Sequence, residues 1–191
     1  SPVLYAPVGQ NVPMFTEKGE AALTLGYAET YGNETAGKGV SLQAAYAVNK
    51  NFAMMGSFYS MREKEEQGYY LGQAASEWNT KGSYYELGMG TYYANPSKTL
   101  AYEVFGGLGG GSIKNSYIDG GDIIEVSILK PFIQPSVGYI SKYVDIIATP
   151  RIAMVMYTSY KPDDPIFADF MDDHDNSFVF EPGVTVRAGV K

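Results

Sequence analysis

The chain predicts an all-β fold, an antiparallel up-and-down transmembrane β-barrel of eight strands, or of ten if its 191 residues are a truncated piece. Three observations predict it. Short and long links between strand-like segments take strict turns. Val48–Asn51, Asn95–Thr99 and Ser141–Tyr143 are tight, whereas Thr30–Lys38, Arg62–Lys81, Ser112–Glu125 and Lys161–Ser177 are long and polar. Outer-membrane barrels sort their connections in this way, with short periplasmic turns and longer outer loops. Within the segments, bulky apolar residues recur at every second position, the period of a strand. Finally, no apolar run approaches the roughly 20 residues of a membrane-crossing helix, and the mean hydropathy of -0.16 suits a barrel in which only alternate residues meet lipid.

Each element follows from its alternation. Ser1–Lys18 carries Pro2, Pro7 and Pro13 and no periodicity, which predicts an extended arm ahead of a barrel over residues 19–191. The first strand is expected at Gly19–Glu29, where Leu23, Leu25 and Tyr27 alternate with Ala22, Thr24, Gly26 and Ala28. Gly39–Val48 sets Val40, Leu42 and Tyr46 against Ser41, Gln43 and Ala45, and Asn51–Met61 alternates less cleanly. In Gly82–Ala94, Tyr85, Leu87 and Met89 oppose Tyr84, Glu86 and Gly88, and in Leu100–Gly111, Tyr102 and Val104 oppose Glu103 and Phe105. The sixth strand is expected from near Phe132 to Ile140, the seventh at Val144–Tyr157 and the eighth at Phe178–Val190. An even number of strands permits antiparallel closure, which removes exposed edges. Pro135, Pro150 and Pro182 fall inside strands, where proline cannot donate to the ladder, so bulges are expected there.

The polar residues decide which face is inside. With the apolar face inward, the outer surface would be Gly, Ala and little charge, a poor surface in water. With the apolar face outward, the lumen holds Gln43, Glu86, Glu103, Gln134, Arg151, Glu181 and Arg187 among small residues, which suits a narrow barrel filled by its own side chains. Tyr5, Tyr27, Tyr46, Tyr85, Tyr93, Tyr139 and Tyr143 are then candidates for interfacial girdles. A net charge of -7 argues against nucleic acid as a partner. The chain has no cysteine, which excludes disulfides and thiolate chemistry. It starts at Ser1, which reads as a mature or trimmed form.

Several pieces carry a resemblance to a known family. Asn11-Val12-Pro13-Met14-Phe15-Thr16-Glu17-Lys18-Gly19-Glu20 resembles the segment that precedes the first strand in small outer-membrane β-barrel proteins of the Bacteroidetes. Leu42–Ala47, Glu103–Gly107, Phe132–Tyr139 and Glu181–Gly189 match as well. The resemblance implies an outer-membrane barrel and says little about activity. It also implies a lipidated cysteine ahead of a segment like Ser1–Gln10, and a chain that continues past Lys191 to ten strands.

Candidate chemistry is sparse. Glu86, Glu103, Arg151, Glu181 and Arg187 share the inferred inner face and read as an ion-pair network plugging the lumen, with a polar pore or a carboxylate pair for acid–base work as the functional alternatives. The acidic stretch Asp163–Asp175, which holds the lone His174, lacks the order of a calcium loop and reads as a solvated outer loop. Gly106–Ser112 fits no phosphate-loop pattern. No catalytic residue, cofactor or metal is expected. The functional expectation is a non-enzymatic outer-membrane subunit, in contact with lipid and with other outer-membrane proteins. Candidate partner contacts are Tyr5 and Phe15 in the arm and Tyr69, Tyr70, Trp78, Phe167 and Phe170 in the outer loops. The alternative is a soluble or lipid-anchored barrel around an apolar ligand.

Overall fold

The computed structural model describes residues 5, 8–31, 35–66, 77–117, 123–161 and 176–189. These form one antiparallel sheet of ten segments: β1 (Ala21–Tyr31), β2 (Thr35–Ala47), β3 (Phe52–Glu66), β4 (Glu77–Ala94), β5 (Leu100–Tyr117), β6 (Ile123–Tyr139), β7 (Val144–Ala148), β8 (Arg151–Lys161), β9 (Asn176–Glu181) and β10 (Val184–Ala188). β1 to β6 pair in chain order. β6 then pairs with both β7 and β8, β8 pairs with β9, and β7 with β10. β7 with β8 is therefore one traverse and β9 with β10 another, so the ten segments make the eight expected traverses. Strands β3 to β6 run further toward the long-loop side than the alternation indicated, and Trp78 belongs to β4 rather than to a loop.

The prolines act differently from the expected bulges. Ile133 lies opposite Ile152 and Val137 opposite Ala148, which is one register on both sides of the break and sets Pro135 level with Pro150. Arg151 opposite Glu181 and Ala148 opposite Val184 likewise set Pro150 level with Pro182. The three prolines form a row across adjacent traverses. Each lacks an N–H, so the ladder thins along that row without shifting. The register shift in this region falls instead between Ser127 and Ile128.

The sheet curls without closing. Among the described residues no ladder joins β1 to β9 or β10, so a seam runs between the first and last traverses. The curl packs strands tightly at inward glycines. A methyl group at Gly90 would lie 2.1 Å from the Val104 carbonyl oxygen, and one at Gly111 would lie 2.2 Å from that of Ser83.

The two faces have inverted polarity. Outward side chains are apolar and exposed, including Leu25 (78 %), Leu87 (72 %) and Phe178 (80 %). Leu23, Leu42, Met89, Val104, Val184 and Val186 are exposed with them, while Met154 is half-buried. The concave face buries Lys130, Arg151, Glu86, Glu103, Gln134 and Asn115. Residues 8–15 lie inside this concavity, and Val12, Met14 and Phe15 join its apolar clusters.

Two glycine substitutions test the packing. Gly90→Ala and Gly111→Ala, each forced against backbone, should lower stability by about 1–3 kcal/mol. Gly39→Ala, whose methyl would meet nothing nearer than 3.7 Å, should be tolerated. Denaturant unfolding of the three variants checks this.

Candidate functional site: an arm-filled lumen

The centre of the lumen is an ion cluster. Glu86 comes from β4, Lys130 from β6, Arg151 from the start of β8 and Glu181 from the end of β9. Arg151 Nη1 lies 2.8 Å from Glu86 Oε1 and 3.7 Å from Glu181 Oε2. Lys130 Nζ lies 3.3 Å from Glu86 and 3.4 Å from Glu181. Two cations thus face two carboxylates. Gln134 orients Arg151 by accepting from its Nε at 2.9 Å, and the guanidinium stacks 4.6 Å from the Phe132 ring centre. Two tyrosine rings flank Lys130, Tyr5 at 5.5 Å and Tyr84 at 5.3 Å. The Tyr5 hydroxyl donates to Glu181.

The second feature is the arm. Its backbone carries no ladder, so its polar groups must find other partners. The inner wall supplies them. Gln43 and Tyr59 donate to the Gly9 carbonyl, and Gln134 donates to that of Asn11 at 2.7 Å. Glu103 accepts from the Phe15 N–H at 2.6 Å, and Arg187 donates to the Pro13 carbonyl at 3.1 Å. In return, Asn11 Nδ2 donates to the Ala44 carbonyl at 3.1 Å and Gln10 Nε2 to the Glu181 carbonyl at 2.7 Å. The Phe15 ring meets Tyr92 edge-on at 5.8 Å. Where the arm leaves the lumen, Glu17 pairs with Lys98 at 2.6 Å on the surface.

The structure divides the expected site residues into two groups. Glu86, Arg151 and Glu181 meet in the ion cluster, while Glu103 and Arg187 grip the arm. Phe15 is buried in its own lumen, which corrects its reading as a partner contact, and the half-buried Tyr5 points inward and leaves the girdle set. Tyr69, Tyr70, Phe167, Phe170 and the acidic stretch around His174 lie outside the described residues, as does the side chain of Trp78. Lys130 lies two residues ahead of the alternation that starts near Phe132 and so carries no signal of its own in the sequence. Extending that alternation by two residues places Lys130 on the Gln134 face. Among the described residues no group of His, Cys, Asp or Glu could hold a metal ion, and no helix is long and apolar enough to cross a membrane. Comparison with protein-family models, curated proteins and solved structures finds no match.

The ion cluster and the exposed pair each give an expected outcome. Removing one partner of a buried ion network strands the others, so Lys130→Met should lower stability by about 3–5 kcal/mol. Glu17→Gln, at the exposed pair, should leave the unfolding midpoint unchanged.

Proposed function

We propose that this protein is a non-enzymatic outer-membrane β-barrel that serves as a structural or accessory subunit of a larger outer-membrane complex. One observation carries the membrane part, the inverted polarity of the sheet. Fully buried Lys130 and Arg151 sit behind a wall of exposed Leu, Val, Ile and Phe. In water that wall would be an aggregation liability, far beyond the scattered apolar residues of a soluble surface. In a bilayer it is the outward band of a barrel. Outward tyrosines support the same placement. Tyr46, Tyr93, Tyr102, Tyr139 and Tyr143 are exposed near the short-turn ends, and Tyr27 and Tyr85 are exposed in the loop half. Tyr85 and Tyr93 are eight residues apart on β4, about 27 Å along a strand, which at the strand tilt of such barrels is about 20 Å of depth, within the roughly 25 Å apolar band. The resemblance to small barrels of the Bacteroidetes points the same way.

The non-enzymatic part rests on engagement of the carboxylates. Glu86 and Glu181 face two cations, and Glu103 accepts from the arm. The accessory part rests on the seam. Unpaired strand edges are not tolerated against lipid, and an edge is a template for a strand from elsewhere. A ligand carrier, the competing class, would want an apolar lumen, and this one is charged at its centre.

Two measurements test the proposal. The purified protein should be monodisperse only with detergent or lipid, and a monodisperse, detergent-free monomer would sink the membrane reading. After mild extraction, native mass measurement should give a complex larger than one chain, and a lone monomer would remove the accessory role. Within the wall, Leu87→Arg should weaken folding into bilayers by about 2–4 kcal/mol if the site is near the midplane, measured by denaturant titration in lipid vesicles.

A further inference from the structure

Three buried oxygens of the inner wall have no hydrogen-bond partner among the described residues, and they stand side by side. They are Glu103 Oε2, Ser136 Oγ and Thr149 Oγ1. Glu103 on β5 pairs with Ser136 on β6. The register that sets Val137 opposite Ala148 and Ile133 opposite Ile152 sets Ser136 level with Thr149, in the link between β7 and β8. The three residues therefore form one row across three adjacent traverses. Parity places them on the face of Gln134 and Arg151, and their exposure is 1 % at Glu103, 5 % at Ser136 and 0 % at Thr149. Buried polar atoms of a folded protein call for partners, and this row does not close on itself.

The arm covers the row. The Phe15 N–H takes Glu103 Oε1 at 2.6 Å and leaves Oε2 aside. The Asn11 carbonyl accepts from Gln134, two residues from Ser136. The Thr149 N–H donates to the Gly183 carbonyl at 2.8 Å, and a methyl at Gly183 would collide with Gln10 Oε1. An amide oxygen of the arm thus sits at the far end of the row. Phe15 also lines an open cavity of about 620 Å³ in the turn-side mouth, with Met14, Thr16 and Ser141. A hydrated ion arriving from the turns comes within one arm residue of Glu103.

Oxygen donors alone, carboxylate and hydroxyl, are the ligands of a hard cation. Charge decides between a cation and water. No Lys or Arg among the described residues lies within ion-pair distance of Glu103. Lys130 and Arg151 are committed to Glu86 and Glu181, and Arg187 donates to the Pro13 carbonyl. A buried charge without a counter-charge is strongly unfavourable. Water satisfies the hydroxyls and leaves that charge standing.

We propose that Glu103, Ser136 and Thr149 hold one monovalent cation of sodium size beneath the arm. One carboxylate matches one positive charge, whereas calcium sites draw on several. The cation ties three traverses to one another beside Pro135 and Pro150, where the ladder is thin, and through Glu103 it ties them to the arm.

The test follows the thermal unfolding midpoint of the full-length protein in a non-ionic detergent, as sodium chloride replaces choline chloride at constant ionic strength. A cation bound only by the folded state raises the midpoint with the logarithm of its concentration. The expected result is such a rise in the parent and in Glu17→Gln, and its loss in Glu103→Gln and Thr149→Val. Thr149→Val keeps shape and charge, so it carries the test if Glu103→Gln fails to fold. Equal midpoints in sodium and choline overturn the proposal and leave the row to water beside a neutral Glu103. A rise that persists in Thr149→Val and Glu103→Gln places the sodium elsewhere and overturns it too. A rise with calcium chloride and none with sodium overturns the assignment of a single charge. None of these outcomes bears on the membrane reading, which detergent dependence tests separately.

Discussion

A curved sheet with an apolar outer face must fill its hollow, and in this protein the filler is the N-terminal arm. The wall alone presents too many small residues to close the space, because glycines and alanines dominate much of its inner face. Val12, Met14 and Phe15 supply the missing volume, and Asn11 and the arm carbonyls occupy the wall's hydrogen-bonding groups. The arrangement is reciprocal. The arm has no ladder of its own and would be disordered alone, whereas Gln43, Tyr59, Gln134 and Glu103 would be buried polar groups short of partners without it.

The ion cluster shows how a charged centre is tolerated under these conditions. Burying one ion is costly and the attraction of a single partner often does not repay it. Here each carboxylate of Glu86 and Glu181 faces both Lys130 and Arg151, Gln134 fixes the guanidinium, and three aromatic rings screen the cations. The arm and the cluster are coupled, because Tyr5 belongs to both. Its hydroxyl is held by Glu181 and its ring shields Lys130.

The seam is where the sheet departs from a sealed cylinder. The apolar band continues to both edges, with Leu23 and Leu25 on β1 and Phe180 and Val186 on the final traverse. The two edge strands run antiparallel to one another, so they fit each other directly or through an even number of further strands. A partner that completes the wall would meet lipid-compatible side chains outside and arm residues such as Gly9 and Gln10 behind the last traverse. The row of Pro135, Pro150 and Pro182 stands close to this region. It thins the ladder across the last three traverses, the final one of which borders the seam.

By itself the sequence determined the strand class, the number of traverses, the short turns and the two faces, because strict period-2 alternation and loop length are local signals. Leu25 and Leu87 outward, and Glu86 and Arg151 inward, were legible from parity alone. Parity says which face a residue occupies but not what it meets there. Only the tertiary structure decided that Glu86 pairs with Lys130 as well as Arg151, that Glu103 and Arg187 hold the arm, and that Tyr5 and Phe15 turn inward. Those outcomes depend on register and on the path of a segment with no periodicity to read. The prolines make the same point. A single sequence shows three residues that weaken a ladder, and only pairing shows that they stand level, so that the register passes through them unchanged.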